Sequence, residues 1–267
     1  MKILSWNIRS FGGDESAASR VNIFKKLRVS EQPGIVVIQE SKCDTVSSRF
    51  IEIIWGDSNF DFVQKPKVGK SGGLITIWDP GVFKVNESVI NEFFLAIKGH
   101  WTGRDMETVI VNVYGPHNDS DKKKMWDSLE KLMSYRDVSW VVCGDFNEVR
   151  DISKRKNCEF NSRRAKMFND FIENMELIEI PLIGKNFTRI SDDGLKLSKL
   201  DRFLVSDSFL NLWGGISTFA LDRNTSDHCP IILSDKNEDY GPKPFKVFNL
   251  WFEEKEVEKL ITDTWKL

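Results

Sequence analysis

An α/β sandwich, two packed β-sheets with helices on their outer faces, is the fold class this sequence predicts. Between residues 60 and 114, strand-like runs follow one another with turns rather than helices between them. Ile35–Ile38 and Trp140–Cys143 are continuous apolar runs, long enough for strands buried on both faces and too short for helices. The helix-like segments are few and amphipathic, which suits an outer cover. A doubly wound sheet would alternate strand and helix throughout and fits less well.

Taken in order, residues 2–8 read as a strand ending at Asn7. Residues 16–29 carry Val21, Ile23, Phe24 and Leu27 near helical spacing, and Pro33-Gly34 breaks that helix. The strand Ile35–Ile38 closes at Gln39-Glu40, and a helix is expected over 45–55. Strands follow at Phe60–Val63, Gly73–Trp78, Phe83–Ile90, Phe93–Ile97 and Thr108–Tyr114. Turn-rich pieces such as Lys70-Ser71-Gly72-Gly73 and Asp79-Pro80-Gly81 join them, and the close spacing predicts an antiparallel sheet. Residues 119–135 form an amphipathic helix through Met125, Trp126, Leu129 and Leu132. A strand at 139–144 and a helix at 162–176, through Ala165, Phe168, Phe171 and Ile172, come next. Shorter strands are expected at 177–180, 186–190, 200–205, 216–220 and 230–233. Residues 1–234 thus make one domain. Residues 235–244 are polar and rich in breakers, as a linker is. The apolar stretch 245–267 either packs back on the domain or opens a following, truncated region; the second is the expectation.

Composition narrows the function classes. The chain has 267 residues, 40% hydrophobic and 29% charged, with a formal net charge of −2. Those are the proportions of a globular domain, and they argue against a uniformly basic nucleic-acid binder while leaving room for a local basic patch. Cys43, Cys143, Cys158 and Cys229 lack metal-ligand spacing and read as free thiols of a reducing compartment. No window has the length of a signal peptide's apolar core or a membrane span, so the expectation is an intracellular protein with no membrane partner.

Polar residues recur where strands end. Asn7, Glu40 and Tyr114 each follow an apolar run. Trp140-Val141-Val142-Cys143 ends in Gly144, which permits a close backbone approach, and Asp145 and Asn147 follow at once. Asp201 precedes Arg202 at the head of another strand, and Asp227-His228 precedes 230–233. Each has an ordinary reading: Asn7 as a turn cap, Glu40 as a strand-end charge, Tyr114 as a boundary aromatic, Asp201-Arg202 as an ion pair. Asp145 or Asn147 could bond its own backbone in a turn. His100 reads as a strand-end residue, and His117 stays open. If the strand ends come together, the set suits phosphodiester hydrolysis. Carboxylates are natural ligands for a hard cation, one group can orient or deprotonate water, and His, Asn and Tyr can donate to developing charge. No GxSxG supports a nucleophilic serine.

The motifs Ser5-Trp6-Asn7, Gln39-Glu40, Val113-Tyr114-Gly115-Pro116, Gly144-Asp145-Phe146-Asn147, Ser198-Lys199-Leu200-Asp201-Arg202 and Ser226-Asp227-His228 occur in a telling order. Over residues 1–234 the chain resembles the endonuclease/exonuclease/phosphatase superfamily. More finely, it is similar to the apurinic/apyrimidinic-type endonuclease domains of LINE-type (non-LTR) retrotransposons, especially plant ones. Residues 198–206 and the Gly-Pro-Lys-Pro-Phe tail carry that finer likeness. The resemblance implies a four-layer, DNase I-like α/β sandwich and a nuclease that uses Mg2+, with Mn2+ as the alternative. It also implies DNA as partner, a reverse transcriptase domain in the same natural polypeptide, and a nuclear location. By matched position, Glu40 is the main metal ligand, Asp227 lies near the metal, and Asn7 supports metal and phosphate. Asp145 orients or deprotonates water with Asn147 next to it. His228 contacts the scissile phosphate, Asp201 orients its ring, and Tyr114 contacts the phosphate. Two departures stand out. Arg9 lies where abasic-repair enzymes carry Asp, and Arg189 follows Phe187-Thr188 where relatives usually carry Trp. Thr188 is expected to touch the substrate backbone. Arg155, Arg163 and Arg164, in the basic run 150–166, are the expected phosphate contacts, with Lys65, Lys67 and Lys70 as a second group. The competing expectations are a same-fold phosphoesterase for a small phosphorylated substrate, and an inactive retroelement relic or binding module.

Overall fold

The computed structural model describes residues 1–12, 17–69, 71–134 and 137–235. The chain divides into a unit Met1–Lys236 and a unit Asn237–Leu267. The second unit, nearly all of the expected linker, the tail 245–267, Lys70 and Tyr135 lie outside the described residues.

The first half contains β1 (Lys2–Asn7), α1 (Ala17–Glu31), β2 (Ile35–Gln39), α2 (Ser48–Trp55), β3 (Asp61–Val68), β4 (Ser71–Trp78), β5 (Phe83–Ile90), β6 (Phe94–Trp101), β7 (Glu107–Tyr114) and α3 (Asp119–Leu132). The second contains β8 (Ser139–Asp145), β9 (Arg155–Lys156), α4 (Ser162–Asn174), β10 (Leu177–Glu179), β11 (Leu182–Ile183), β12 (Arg189–Ile190), β13 (Leu197–Ser198), β14 (Asp201–Ser206), α5 (Asp207–Leu212), β15 (Ser217–Ala220) and β16 (Ile231–Ser234).

One sheet has seven strands in the order β11-β15-β16-β1-β2-β4-β3, and the other has six in the order β10-β14-β8-β7-β6-β5. Each contains one central parallel pair, β1 with β2 and β7 with β8. Parallel neighbours need a crossover, and α1 and α3 supply it. Here the expectation of one antiparallel sheet over 60–114 is corrected. β3 and β4 form a hairpin on the seven-stranded sheet, whereas β5, β6 and β7 form a meander on the six-stranded one. The chain changes sheets at Asp79-Pro80-Gly81, where Asp79 Oδ1 accepts the Gly81 N–H at 2.7 Å. Strand alternation has the same period whichever sheet a strand joins, so the local pattern does not mark this switch.

Side-chain alternation builds the layers. Ile3, Ile35, Val37, Ile97, Ile110, Val141, Cys143, Phe203, Val205 and Ile231 point into the space between the sheets. The residues between them point outward. Leu4, Trp6, Val36, Ile38 and Ile75 meet Phe24 of α1 and Ile51, Ile54 and Trp55 of α2. Val109, Val111, Val142 and Leu204 meet Met125, Trp126 and Leu129 of α3 and Phe168, Phe171 and Ile172 of α4. The result is four layers, helices–sheet–sheet–helices, as expected. Asn118 starts α3 by accepting the Asp121 N–H at 2.8 Å, and Asn161 starts α4 by accepting the Arg164 N–H at 3.0 Å. All four cysteines are free. Among the described residues no helix is long and apolar enough to cross a membrane.

Candidate active site

The inward-facing rows of the central strands end in polar residues on one edge of the sandwich. The row Ile3-Ser5-Asn7 closes β1, Ile110-Asn112-Tyr114 closes β7, and Val141-Cys143-Asp145 closes β8. On β14 the row Val205-Phe203-Asp201 runs the other way, and antiparallel pairing sets Asp201 opposite Asp145. A period of two therefore carries the core face directly into the site. Glu40 lies one residue beyond the inward Gln39 and would alternate outward. Its left-handed backbone, φ 51°, takes it out of the strand path, and its carboxylate reaches Asn7. Behind the site Gln39 donates to Asn112 Oδ1 at 2.7 Å, and Asn112 donates to the carbonyls of Ile38 and Ile75, tying the two sheets together.

Gly144 is required where the two chain ends meet. A Cβ there would lie 2.1 Å from the Val113 carbonyl oxygen, and its φ is 131°. Past it, Asp145 Oδ1 accepts the Asn147 N–H at 2.9 Å, and Asn147 donates its amide to the Gly115 carbonyl at 2.8 Å. Phe146 is buried against the rings of Trp126 and Phe168. Lys122 reaches in from α3 and donates to the Asn147 carbonyl at 2.8 Å, with Glu148 Oε2 3.4 Å away. The Asp145–Asn147 turn is thus held on every side.

Asn7 sits between two carboxylates. Its amide nitrogen donates to Glu40 Oε1 at 3.1 Å and to Asp145 Oδ2 at 2.9 Å, while its oxygen accepts the Arg9 N–H at 3.0 Å. This network sets the amide orientation, with the N–H groups of Asn7 on the two carboxylates and its oxygen on the Arg9 N–H. His228 Nδ1 lies 2.8 Å from Asp201 Oδ2, and its Nε2 lies 3.7 Å from Asp145 Oδ2. Ser226 couples this loop to β1, accepting the His228 N–H at 3.1 Å and donating to the Asn7 carbonyl at 2.7 Å.

Electrostatics follow from this burial. Desolvation lifts the Asp145 carboxyl to about 6, with His228 pulling it down and Asp201 pushing it up. Burial alone would lower His228, but the charges of Asp201 and Asp145 and the Asp201 hydrogen bond outweigh it and raise the ring to about 9. At neutral pH the arrangement is an imidazolium between two carboxylates. The Tyr114 hydroxyl is driven upward by burial and then by Glu40 and Asp145, so it is a neutral donor.

A cleft of about 450 Å³ opens over these groups. Glu40, Asp145, Asn147, Asp227 and His228 line it, and so do Arg9, Arg155, Arg164 and Arg189. A larger groove of about 870 Å³ lies elsewhere, along α1 and α2, but it holds no converging set of acid, base and cation. Of the expected phosphate contacts, Arg155 and Arg164 reach the cleft and Arg163 is exposed away from it. Thr188 is also corrected. It is fully buried, and its hydroxyl accepts the N–H groups of Leu200 and Asp201, both at 3.0 Å, so it braces the start of β14. Asp227 lines the cleft but pairs with Arg189, Nε to Oδ2 at 3.1 Å. Lys65 and Lys67 lie on β3, where Lys67 pairs with Asp44 at 3.2 Å. Sequence reasoning did not assign His117 to the cleft, and it passed over the buried Lys122–Glu148 pair.

Hard oxygen ligands are what a Mg2+-like cation takes. Asp145, Asp201 and His228 bring donor atoms within 4.8 Å of one another. Within that trio the His228 Nδ1–Asp201 Oδ2 hydrogen bond already commits one donor atom of each residue. Glu40 fits better, since it faces the cleft and its ion-pair partner among the described residues is Lys42, 3.4 Å from Oε2.

A two-sheet sandwich with an acid–imidazole–acid row at one edge is the architecture of DNase I-like hydrolases. The chain belongs to the endonuclease/exonuclease/phosphatase family, whose profile matches residues 4–228. Solved structures share the fold. An AP endonuclease from Leishmania major superposes with a TM-score of 0.70 at 15% identity, covering 87% of this chain and 86% of that one. A 3'-5' exonuclease from Neisseria meningitidis gives 0.66 at 18%, covering 88% and 99%. The endonuclease domain of TRAS1, a telomere-specific non-LTR retrotransposon, gives 0.60 at 14%, covering 87% and 96%. No curated protein matches the chain in sequence.

Proposed function

We propose that this chain is the cation-dependent DNA endonuclease domain of a LINE-type retrotransposon. It nicks target DNA in the nucleus by hydrolysing a phosphodiester bond, leaving a 3′-hydroxyl for target-primed reverse transcription by a domain of the same polypeptide. The observation that carries this reading is the shared cleft. It combines a carboxylate with a raised pKa, an imidazolium and a cation-accepting glutamate with arginines on its walls. Four guanidiniums suit a polyanionic backbone better than a single small phosphate monoester. The finer assignment draws on Ser198-Lys199-Leu200-Asp201-Arg202, and the likeness to the TRAS1 endonuclease fold agrees with it.

Asp145 takes the proton of the attacking water, which the Asn7 and Asn147 N–H groups orient it to do. The water oxygen bonds to phosphorus as the P–O3′ bond breaks, and the 3′-oxygen leaves with that electron pair and takes a proton from solvent. His228, held cationic by Asp201, donates from Nε2 to a non-bridging phosphate oxygen and stabilises charge as it develops. Tyr114 adds a neutral hydroxyl donor. A divalent cation at Glu40, Mg2+ or Mn2+, would neutralise phosphoryl charge.

The test is nicking of supercoiled plasmid with Mg2+, followed by polymerase extension from the nick to detect a 3′-hydroxyl. Wild type is expected to nick and to prime. Asp145→Asn and His228→Ala are each expected to lose ~10²–10⁴ in rate. Equal nicking by all three overturns the site. Release of phosphate from small esters without nicking would establish the phosphoesterase reading instead.

A further inference from the structure

Asp227 is the third carboxylate of the cleft wall, after Glu40 and Asp145, and its surroundings differ from those of Glu40. The carboxylate of Asp227 is 12% exposed and bonded by Arg189 Nε at 3.1 Å. The backbone of Arg189 is zipped to the same loop, which keeps its guanidinium within reach of Asp227. Arg189 forms an antiparallel bridge with His228. On either side, Ile190 N–H donates to the Asp227 carbonyl at 2.8 Å, and Cys229 N–H donates to the Thr188 carbonyl at 2.7 Å. Arg223 adds a bond to the Ile190 carbonyl at 2.9 Å. A second guanidinium faces the same carboxylate, since Asp227 is the largest influence raising Arg9. Glu40 has Lys42 as its ion-pair partner among the described residues, 3.4 Å from Oε2, an ammonium on a flexible stem, and Arg9 acts on it more weakly than on Asp227.

We infer that Arg189 occupies the Asp227 carboxylate in place of a cation, so that this cleft binds one divalent ion, at Glu40, and Asp227 is not a ligand. To bind metal, Asp227 would have to give up a partly buried guanidinium pair, leaving that guanidinium uncompensated beside the incoming dication. The fixed charge of Arg189 then remains on the cleft wall, 3.1 Å from Asp227 and within the space a phosphate would enter. The expectation that Asp227 lies beside the metal is thereby replaced by a role in holding Arg189.

This inference rests on the cation half of the proposed function, so its test counts ions without using DNA. Mn2+ bound per chain is measured by calorimetry and by the loss of the free-ion electron paramagnetic resonance signal. Wild type is expected to bind one, and Asp227→Asn still one. Arg189→Gln is expected to bind two and Arg189→Lys, which keeps the charge, one. The double variant Arg189→Gln/Asp227→Asn is expected to return to one. Two ions on wild type with one on Asp227→Asn would overturn the inference, and so would a count of one on Arg189→Gln. No binding by wild type would overturn it together with the cation reading. Failure to nick plasmid with the ion counts as expected would overturn the endonuclease reading alone.

Discussion

Replacing Asp201 with Asn tests the imidazolium directly. Asp201 Oδ2 lies 2.8 Å from His228 Nδ1, and Oδ1 is buried without a hydrogen-bond partner. The asparagine oxygen can therefore keep the bond to Nδ1–H while its NH2 takes the place of Oδ1. What disappears is a charge. Exchanging a charge-assisted hydrogen bond for a neutral one costs His228 about 1 kcal/mol, and a full charge at ~4 Å is worth ~4 kcal/mol at an effective dielectric near 20. At 1.36 kcal/mol per unit, that lowers the ring by roughly one to three units. The wild-type ring titrates at about 9, so its charged form is present below that pH and is lost as pH rises through it. Asp145, raised to about 6, loses its ionised form as pH falls through that value. The nicking rate should therefore be bell-shaped between the two. In Asp201→Asn the alkaline limb moves down toward ~7 for a two-unit shift, giving about a tenfold loss at pH 8 beyond any loss seen at pH 6. Single-turnover plasmid nicking from about pH 5.5 to 9.5 measures it. A uniform rate loss with the alkaline limb unmoved would refute the imidazolium reading and leave Asp201 a purely steric support.

Lys122→Met should lower the nicking rate while leaving the Michaelis constant nearly unchanged, because Lys122 holds the Asn147 carbonyl and does not line the cleft. It should also cost up to about 3–5 kcal/mol in denaturant unfolding, since it breaks a buried ion pair and leaves Glu148 with the longer Arg155 contact, 3.8 Å from Oε1. Gly144→Ala should destabilise by well over ~1 kcal/mol, because a Cβ would meet the Val113 carbonyl at 2.1 Å. An unchanged denaturation midpoint would show that β7 and β8 can separate there. Arg155→Ala and Arg164→Ala should each reduce the salt slope of DNA binding by about one, whereas Arg163→Ala should not. Fluorescence anisotropy across KCl concentration distinguishes these variants, and an equal effect at Arg163 would place the DNA path outside the cleft.

Much of the fold was legible because its strands are apolar runs bounded by breakers. Lys2–Asn7, Ile35–Gln39 and Ser139–Asp145 lie within a residue or two of the sequence reading. β9, β11 and β13 were not legible, since each is two residues long and two residues have no period. Nor was the split of residues 60–114 between two sheets, which is decided by partners more than thirty residues away. Val36 pairs with Ile77, while Ile110 pairs with Val141.

The site divides along the same line. Asn7, Tyr114 and Asp145 could be read because each extends an alternating strand row, and that row is written in the local sequence. What surrounds them could not be read, because it consists of pairs made across the chain. Arg189 reaches Asp227 over 38 residues, and Asn7 reaches Asp145 over 138. Those pairs decide chemistry as much as residue type does. An Asn between two carboxylates must turn its N–H groups toward them, so its value lies in keeping Glu40 and Asp145 close without their charges facing each other directly. On the inference above, an Asp clasped by an arginine is withdrawn from ligand duty, although its identity alone marks it as a ligand. The proposed division of labour, Glu40 for the cation and Asp145 for the water, would then be set by contacts that no short motif contains.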